Sequence, residues 1–76
     1  MTPYRNTDGD SGVVAYEYGA GWIHVQFSDG AHYKYEASRI GGTHISNMQR
    51  LADSGTGLNA YINTHRDVVK GYSQKW

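Results

Sequence analysis

Two segments, 22–27 and 31–36, alternate between residues of different polarity and flank the short segment 28–30. Alternation over this length is typical of half-buried β-strands, because successive side chains of a strand point to opposite faces of a sheet. A third segment, 13–18, is rich in β-branched and aromatic residues and precedes the glycine-rich turn at 19–21. The sequence therefore predicts three consecutive antiparallel strands, which commits a large part of this short chain to one sheet.

The length of the turn at 28–30 decides which side chains share a face of this sheet. A two-residue turn would place the apolar residues of the second strand beside polar and charged residues of the third. A three-residue turn places them beside alanine and tyrosine, with Gly30 in the left-handed position of a type I turn with a bulge. We choose the second register, because with a two-residue first turn it gives one apolar face. That predicted face comprises Val14, Tyr16, Tyr18, Ile23, Val25, Phe27, Ala31, Tyr33 and Tyr35.

After residue 40 the hydrophobic period becomes helical. Apolar residues recur at helical spacing from Ile45 to Ala52, Thr43 is the predicted N-cap, and Gly55 is suited to the C-terminal end. A second apolar stripe predicts another helix, which Gly71 ends. Its members are Leu58, Tyr61, Ile62, His65, Val68 and Val69. We therefore predict an α+β fold, a three-stranded antiparallel β-meander followed by two α-helices packed on one face (βββαα), with the opposite sheet face left open.

The first residues differ from the rest of the chain. Residues 1–11 are polar, contain Pro3 and an Asp-Gly-Asp cluster at 8–10, and show no apolar period. We predict a disordered N-terminal tail over 1–11 and a single α+β domain over 12–76, since 76 residues suffice for one domain only.

The composition favours a protein of the cytoplasm. The chain has no cysteine, whereas small secreted domains are usually held together by disulfides. It contains no long apolar segment, and its first residues lack the apolar core of a signal peptide. We expect a cytoplasmic location and no membrane contact.

The charge is balanced overall but uneven along the chain. Seven basic residues match seven acidic ones, which is not the basic excess typical of nucleic-acid-binding domains. Residues 1–38 carry a net charge of −3 and residues 39–76 carry +3. Two interpretations stay open, namely chance placement on solvated surfaces and a basic helical face that meets a phosphate backbone.

Several of these residues form a familiar pattern. Tyr-Glu at 16–17 is followed by Ile-x-Val-x-Phe-x-x-Gly-x-x-Tyr-x-Tyr from Ile23 to Tyr35, and Gly-x-x-Leu-Asn-x-x-Ile runs from Gly55 to Ile62. Over roughly residues 12–62 the chain resembles the KTSC family. That family is named for an extension at the C-terminus of some lysyl-tRNA synthetases and also occurs as short bacterial and phage proteins. The resemblance implies a sheet-then-helix fold, and the synthetase attachment suggests RNA as a ligand.

Catalytic motifs are missing from the sequence. There is no cysteine, no nucleophile-elbow serine, no paired carboxylates outside the N-terminal segment and no complete phosphate-binding loop. We predict that the chain is not an enzyme and needs no cofactor.

The four histidines have two interpretations. His24 and His32 fall on the open sheet face, where with Glu17 or Glu36 they would form a Zn²⁺ or Ni²⁺ site. The alternative, which we favour, is that they are exposed strand residues and no metal binds. His65 is predicted to be a core histidine bonded to a backbone carbonyl, and His44 has no partner visible in the sequence.

The predicted binding residues combine an aromatic ring with cations. Trp22 shares the open face with His24 and Lys34, where it would stack a base or anchor a partner. Arg66 and Lys70, one turn apart on the second helix, are the predicted phosphate contacts. We expect a non-catalytic binding module for RNA or single-stranded nucleic acid. The alternative is a protein-interaction or self-association module, including a weak homodimer, that uses the open sheet face or a strand edge.

Overall fold

The structure, a computed structural model, describes residues 1–7 and 12–76. The elements in chain order are β1 (Thr2–Pro3), β2 (Val13–Gly19), β3 (Trp22–Phe27), β4 (His32–Glu36), α1 (Ala37–Ile40), α2 (Gly42–Ser54), α3 (Leu58–Thr64), α4 (Arg66–Val69) and β5 (Gln74–Lys75). The strands form one sheet in the order β1-β2-β3-β4-β5, and each neighbouring pair is antiparallel. The α+β class is as predicted. The βββαα arrangement is not, because the described residues add two short strands and two short helices.

The β3–β4 hairpin has the predicted register. Ile23 pairs with Tyr35, and Val25 pairs with Tyr33. A three-residue turn joins the strands, and Gly30 has a φ of 91°, a left-handed value that glycine adopts without steric cost. Turn length and the apolar pattern therefore agree on one register, as the sequence indicated.

Strand β2 follows the prediction except at its start. Tyr16 and Tyr18 pair with residues of the predicted apolar face, but a β-bulge shifts the register between Val13 and Ala15. Val13 is consequently buried and Val14 is exposed. The prediction that Val14 faces the core was wrong, since a bulge moves every residue beyond it to the opposite face.

A carboxylate at the end of α2 fixes the outer part of β2. The hydroxyls of Tyr16 and Tyr18 donate hydrogen bonds to the two carboxylate oxygens of Asp53, at 2.8 and 2.6 Å. These bonds, that of Tyr18 first, hold the pKa of Asp53 below its ordinary value. The Arg5 guanidinium donates to the Asp53 carbonyl oxygen, so the N-terminal segment joins the same contact.

The segment before β2 is not the disordered tail that we predicted, as far as residues 1–7 are concerned. β1 pairs with β2, matching Thr2 with Tyr16 and Pro3 with Ala15. Tyr4 is buried in the core, and its backbone N–H donates to the Val14 carbonyl oxygen at 3.0 Å. The remaining part of the predicted tail, 8–11, lies outside the described residues.

The helical part starts and breaks at positions that the sequence did not indicate. Helix α2 begins at Gly42, one residue before the predicted cap Thr43, and ends at Ser54, followed by the predicted terminal glycine Gly55, whose φ is 77°. The predicted second helix is two helices, because the backbone of His65 is extended, with φ −112° and ψ 101°. The Nδ1 atom of His65 lies 2.7 Å from the Tyr61 carbonyl oxygen, which is the kind of partner predicted for it, although the ring is only half-buried.

The core lies between the helices and one face of the sheet. Its buried residues are Tyr4, Val13, Tyr16, Ile23, Val25, Tyr35, Ile45, Met48, Ala52, Leu58, Ile62 and Val68. The odd-numbered residues of β3 and β4 therefore face the helices, as predicted, and the even-numbered ones form the opposite face. No helix in residues 1–7 and 12–76 has the length and apolar character needed to cross a membrane.

Candidate functional site

The sheet face that points away from the helices collects rings and charges. Trp22 and His24 of β3 lie opposite Glu36 and Lys34 of β4, as the strand register requires. The last residue, Trp76, joins them from the end of β5. We call the five side chains that carry the argument, those of Trp22, His24, His32, Lys34 and Trp76, the open face.

Two neighbouring residues contact the indole of Trp22. A Cβ atom added to Gly19, its cross-strand partner, would lie only 2.7 Å from the indole Nε1, so the ring lies directly on the β2 backbone. The Lys34 ammonium stands 5.1 Å from the centroid of the ring, a cation–π distance. Trp22 and Lys34 share a sheet face, as predicted, but these contacts make Trp22 a fixed support rather than a free stacking surface.

Trp76 is the accessible ring of the open face. Its backbone N–H and carbonyl exchange hydrogen bonds with His32, at 2.9 and 2.8 Å, and this continues the β4–β5 pairing. The indole is parallel to the His32 ring, with 9° between planes and 5.4 Å between centroids, and the His24 ring lies 4.7 Å away. The residue is 56% exposed. The indole of Trp76 is therefore stacked on the His32 imidazole and exposes a surface to solvent.

The two imidazoles of the open face bond to each other. His24 Nε2 lies 2.9 Å from His32 Nδ1, so one of the two nitrogens carries a proton and donates a hydrogen bond, which the other nitrogen accepts. Burial and then the proximity of His32 hold the pKa of His24 below its ordinary value, assisted by Lys34 and the N-terminal ammonium and opposed by Glu17. Protonating both rings would break the shared hydrogen bond and place two positive charges together.

We expect an NMR titration to give His24 a pKa below about 6.5, the ordinary value. Because the folded state then binds fewer protons than the unfolded chain, acidification through that pH lowers the free energy of unfolding. In the His32→Ala variant the pKa of His24 should rise towards the ordinary value. A His24 midpoint at or above that value in the wild type would contradict this account of the pair.

Metal binding gains no third ligand from the structure. In the described residues, no group of three or more His, Asp or Glu side chains is arranged to hold a metal ion. His24 and His32 do come together, as the metal alternative required, but each of them uses one ring nitrogen in their mutual hydrogen bond. Glu36 accepts a hydrogen bond from the Ser73 hydroxyl at 3.2 Å, and Glu17 lies 4.0 Å from the N-terminal ammonium.

The predicted phosphate contacts lie elsewhere. Arg66 is the first residue of α4 and Lys70 follows its last residue; both are exposed, while Val68 between them is buried in the core. Helix α4 thus packs on the face of the sheet opposite Trp22. The structure brings together three of the five predicted binding residues, Trp22, His24 and Lys34, and separates them from Arg66 and Lys70.

A second polar cluster joins the helices. His44 Nδ1 lies 2.6 Å from the Tyr61 hydroxyl, and its Nε2 lies 2.7 Å from a carboxylate oxygen of Asp67. The Asn47 amide also donates to the Tyr61 hydroxyl, at 3.2 Å, and the His44 bond lowers the pKa of Asp67. The base and carboxylate resemble an acid–base pair, but both ring nitrogens of His44 already have protein partners. We interpret the cluster as a clip that joins α2 to α3 and α4.

The sheet edges limit one form of association. The outer strands β1 and β5 have two residues each, and they contain Pro3 and Lys75. Short edge strands with proline or lysine resist pairing with another chain. Self-association through an edge, one part of the alternative prediction, is therefore less favoured by the geometry than association through the open face.

Sequence reasoning missed Trp76 and did not name His32 among the binding residues. Strand β5 is too short to show any period, so only its position after the glycine stop at Gly71 was a signal. Comparison of the chain with protein families, with curated proteins and with solved structures finds no match.

Proposed function

We propose that this chain is a non-catalytic binding module that holds RNA or another single-stranded nucleic acid on its open face. The observation that carries the proposal is the exposed indole of Trp76, which is stacked on His32 and lies beside His24. Aromatic rings on a sheet surface stack unpaired bases, and each stacked base contributes about 1–3 kcal/mol. Lys34, held over Trp22, supplies a cation for the adjacent phosphate.

The two other predicted residues have a secondary part in this proposal. Arg66 and Lys70 lie on the helical side, so they would contact only a strand that continues past the edge of the sheet. Their removal should reduce the salt dependence of binding to long oligonucleotides and leave binding to short ones unchanged. The resemblance to KTSC domains and a cytoplasmic location belong to the same proposal, supported by the strand pattern and by the lack of cysteine.

The Trp76→Ala variant should bind single-stranded RNA about 5- to 150-fold more weakly than the wild type, the equivalent of about 1–3 kcal/mol for one lost stack. Fluorescence anisotropy with a labelled oligonucleotide at low salt measures this change. Trp76→Phe should recover part of the affinity, because phenylalanine also stacks.

Val69→Ala is the control, since Val69 is another exposed apolar residue and lies on α4, on the helical side of the sheet. Counterion release favours nucleic-acid binding most at low salt. An absence of RNA binding by the wild type under those conditions would contradict the proposed function. Equal affinities of Trp76→Ala and the wild type would show that Trp76 is not part of the binding site.

The second candidate is a protein-interaction module on the same face. The observation in its favour is charge, since Glu17 and Glu36 accompany Lys34 and leave the surface without a basic excess. Sedimentation at several concentrations, comparing the wild type with Trp22→Ala and Trp76→Ala, separates the two candidates. Concentration-dependent association that either substitution abolishes would favour self-association.

A further inference from the structure

A cavity lies on the other side of the sheet from the open face, beneath the β3–β4 turn. Its volume is about 360 Å³, and it lies between residues of that hairpin and α3. Small-molecule sites in proteins start at about 300 Å³. Phe27 and Tyr33 form part of its wall, with their rings edge to face at 5.3 Å between centroids. The cavity thus has the size of a small-molecule site and an aromatic wall.

A buried tyrosine side chain lines this cavity. Tyr35 lines it and is only 1% exposed, and no hydrogen bond joins its hydroxyl to the described residues. No fully buried polar side-chain atom in the described part of the chain lacks a partner, so this hydroxyl is not enclosed by apolar atoms. It therefore faces accessible space, and burial raises the pKa of Tyr35, which keeps the hydroxyl protonated and able to donate.

Two carboxamides supply the remaining polar groups. Asn59 and Asn63, one turn apart on α3, both line the cavity, and the Asn63 amide donates to the Asn59 oxygen at 3.3 Å. A carboxamide offers a donor and an acceptor side by side, which is the pattern that matches the edge of a purine. Asp29 is the one charged side chain among the described lining residues, and its carboxylate accepts from the Ala31 N–H at 2.9 Å.

We propose that this cavity binds an uncharged, planar heteroaromatic molecule of nucleoside size, whose ring packs against Phe27 and Tyr33. The polar edge of the ligand forms hydrogen bonds with the Asn59 and Asn63 amides. One acceptor atom of the ligand receives a hydrogen bond from the Tyr35 hydroxyl. The site is independent of the open face, because its residues lie on the helical side of the sheet.

Adenosine is the probe, and ribose is the comparison that shares its sugar but has no ring system. In an NMR titration at millimolar concentration, adenosine should shift the side-chain amides of Asn59 and Asn63 and the signals of Phe27, whereas ribose should not. Tyr35→Phe keeps the ring volume and removes one hydrogen bond to a buried group, so it should weaken adenosine binding about tenfold.

Gly12→Leu blocks the cavity without disturbing its wall. A Cβ atom on Gly12 would approach the Asn59 side chain and the Phe27 ring to 3.9 Å, ordinary contact distances, so a leucine there extends into the space. Gly42→Leu is the matched control, since a Cβ atom at Gly42 would meet no atom of the described residues within 4 Å. Adenosine binding should be lost in the first variant and kept in the second.

Three results would overturn the proposal. The first is the absence of adenosine-induced shifts at the cavity residues of the wild type. The second is a set of shifts confined to Trp22 and Trp76, which would assign adenosine to the open face and leave the cavity empty. The third is wild-type affinity in both Gly12→Leu and Tyr35→Phe. The second outcome would support base stacking on the open face, and the first and third do not affect RNA binding by Trp76, so the two proposals fail separately.

Discussion

The Tyr4→Ala variant is expected to lose about 3–5 kcal/mol of unfolding free energy, the usual cost of deleting a buried aromatic side chain. Tyr4 is 6% exposed and belongs to the core cluster. Its hydroxyl accepts a hydrogen bond from the Leu58 backbone N–H at 3.3 Å, which connects the N-terminal segment to the start of α3. The side chain thus contributes both volume and a partner for a buried amide.

The loss is large relative to the stability of so small a domain. At about 0.05–0.15 kcal/mol per residue, a chain of this length has roughly 4–11 kcal/mol to lose. Thermal unfolding followed by circular dichroism should therefore show a fall in Tm of at least about 12 °C. Tyr4→Phe, which removes only the hydroxyl, should cost about 1 kcal/mol.

Thr2→Ala is the control for this experiment, because Thr2 belongs to the same segment but is exposed. Its Tm should stay close to that of the wild type. If Tyr4→Ala melted within a few degrees of the wild type, the first residues would be a loose tail, as their composition suggested.

The central hairpins could be predicted because each level of the sequence pointed to the same structure. Alternation assigned Ile23 and Val25 to one face, the three-residue turn with Gly30 fixed the pairing, and the helical stripe supplied a cover. Local signals of this kind act over a few residues, so they can be read without knowing the fold.

The errors arise where the determining contact is distant in sequence. Strand β1 has two residues and a proline, so no local pattern reveals it, and the Tyr4 hydroxyl is bonded to Leu58, 54 positions away. The bulge between Val13 and Ala15 buries Val13 and exposes Val14, and no local sequence pattern indicates it. The predicted second helix breaks at His65, within an apolar stripe that shows no interruption.

The candidate site was predicted in part for the same reason. Trp22, His24 and Lys34 share a face because strand alternation requires it. Trp76 reaches that face only through the path of the chain after α4, which no period in the sequence describes. The His44–Tyr61–Asp67 cluster likewise joins residues 17 and 23 positions apart on separate helices.

After Tyr4→Ala, we expect Gly71→Ala to cause the largest loss of stability, because it alters the point where the chain turns from α4 towards β5. A Cβ atom on Gly71 would lie far inside van der Waals contact with the Ile40 side chain and with the Asp67 carbonyl oxygen. The carbonyl belongs to α4 and cannot rotate away as a side chain would. The segment that carries Trp76 must therefore move.

We expect Gly71→Ala to cost about 3 kcal/mol, the upper end for overpacking, and to lower the Tm by at least about 12 °C. Displacement of the last strand should also separate Trp76 from His32, which a red shift of tryptophan emission would report, and should weaken RNA binding at temperatures where the fold persists.

Gly42→Ala is the matched control, since it adds the same methyl group in open space at the start of α2. Alanine there should leave stability unchanged or raise it by up to about 1 kcal/mol. Equal melting temperatures for the two variants would show that Gly71 is not a close-packed position, and that the path which delivers Trp76 to the open face tolerates a side chain.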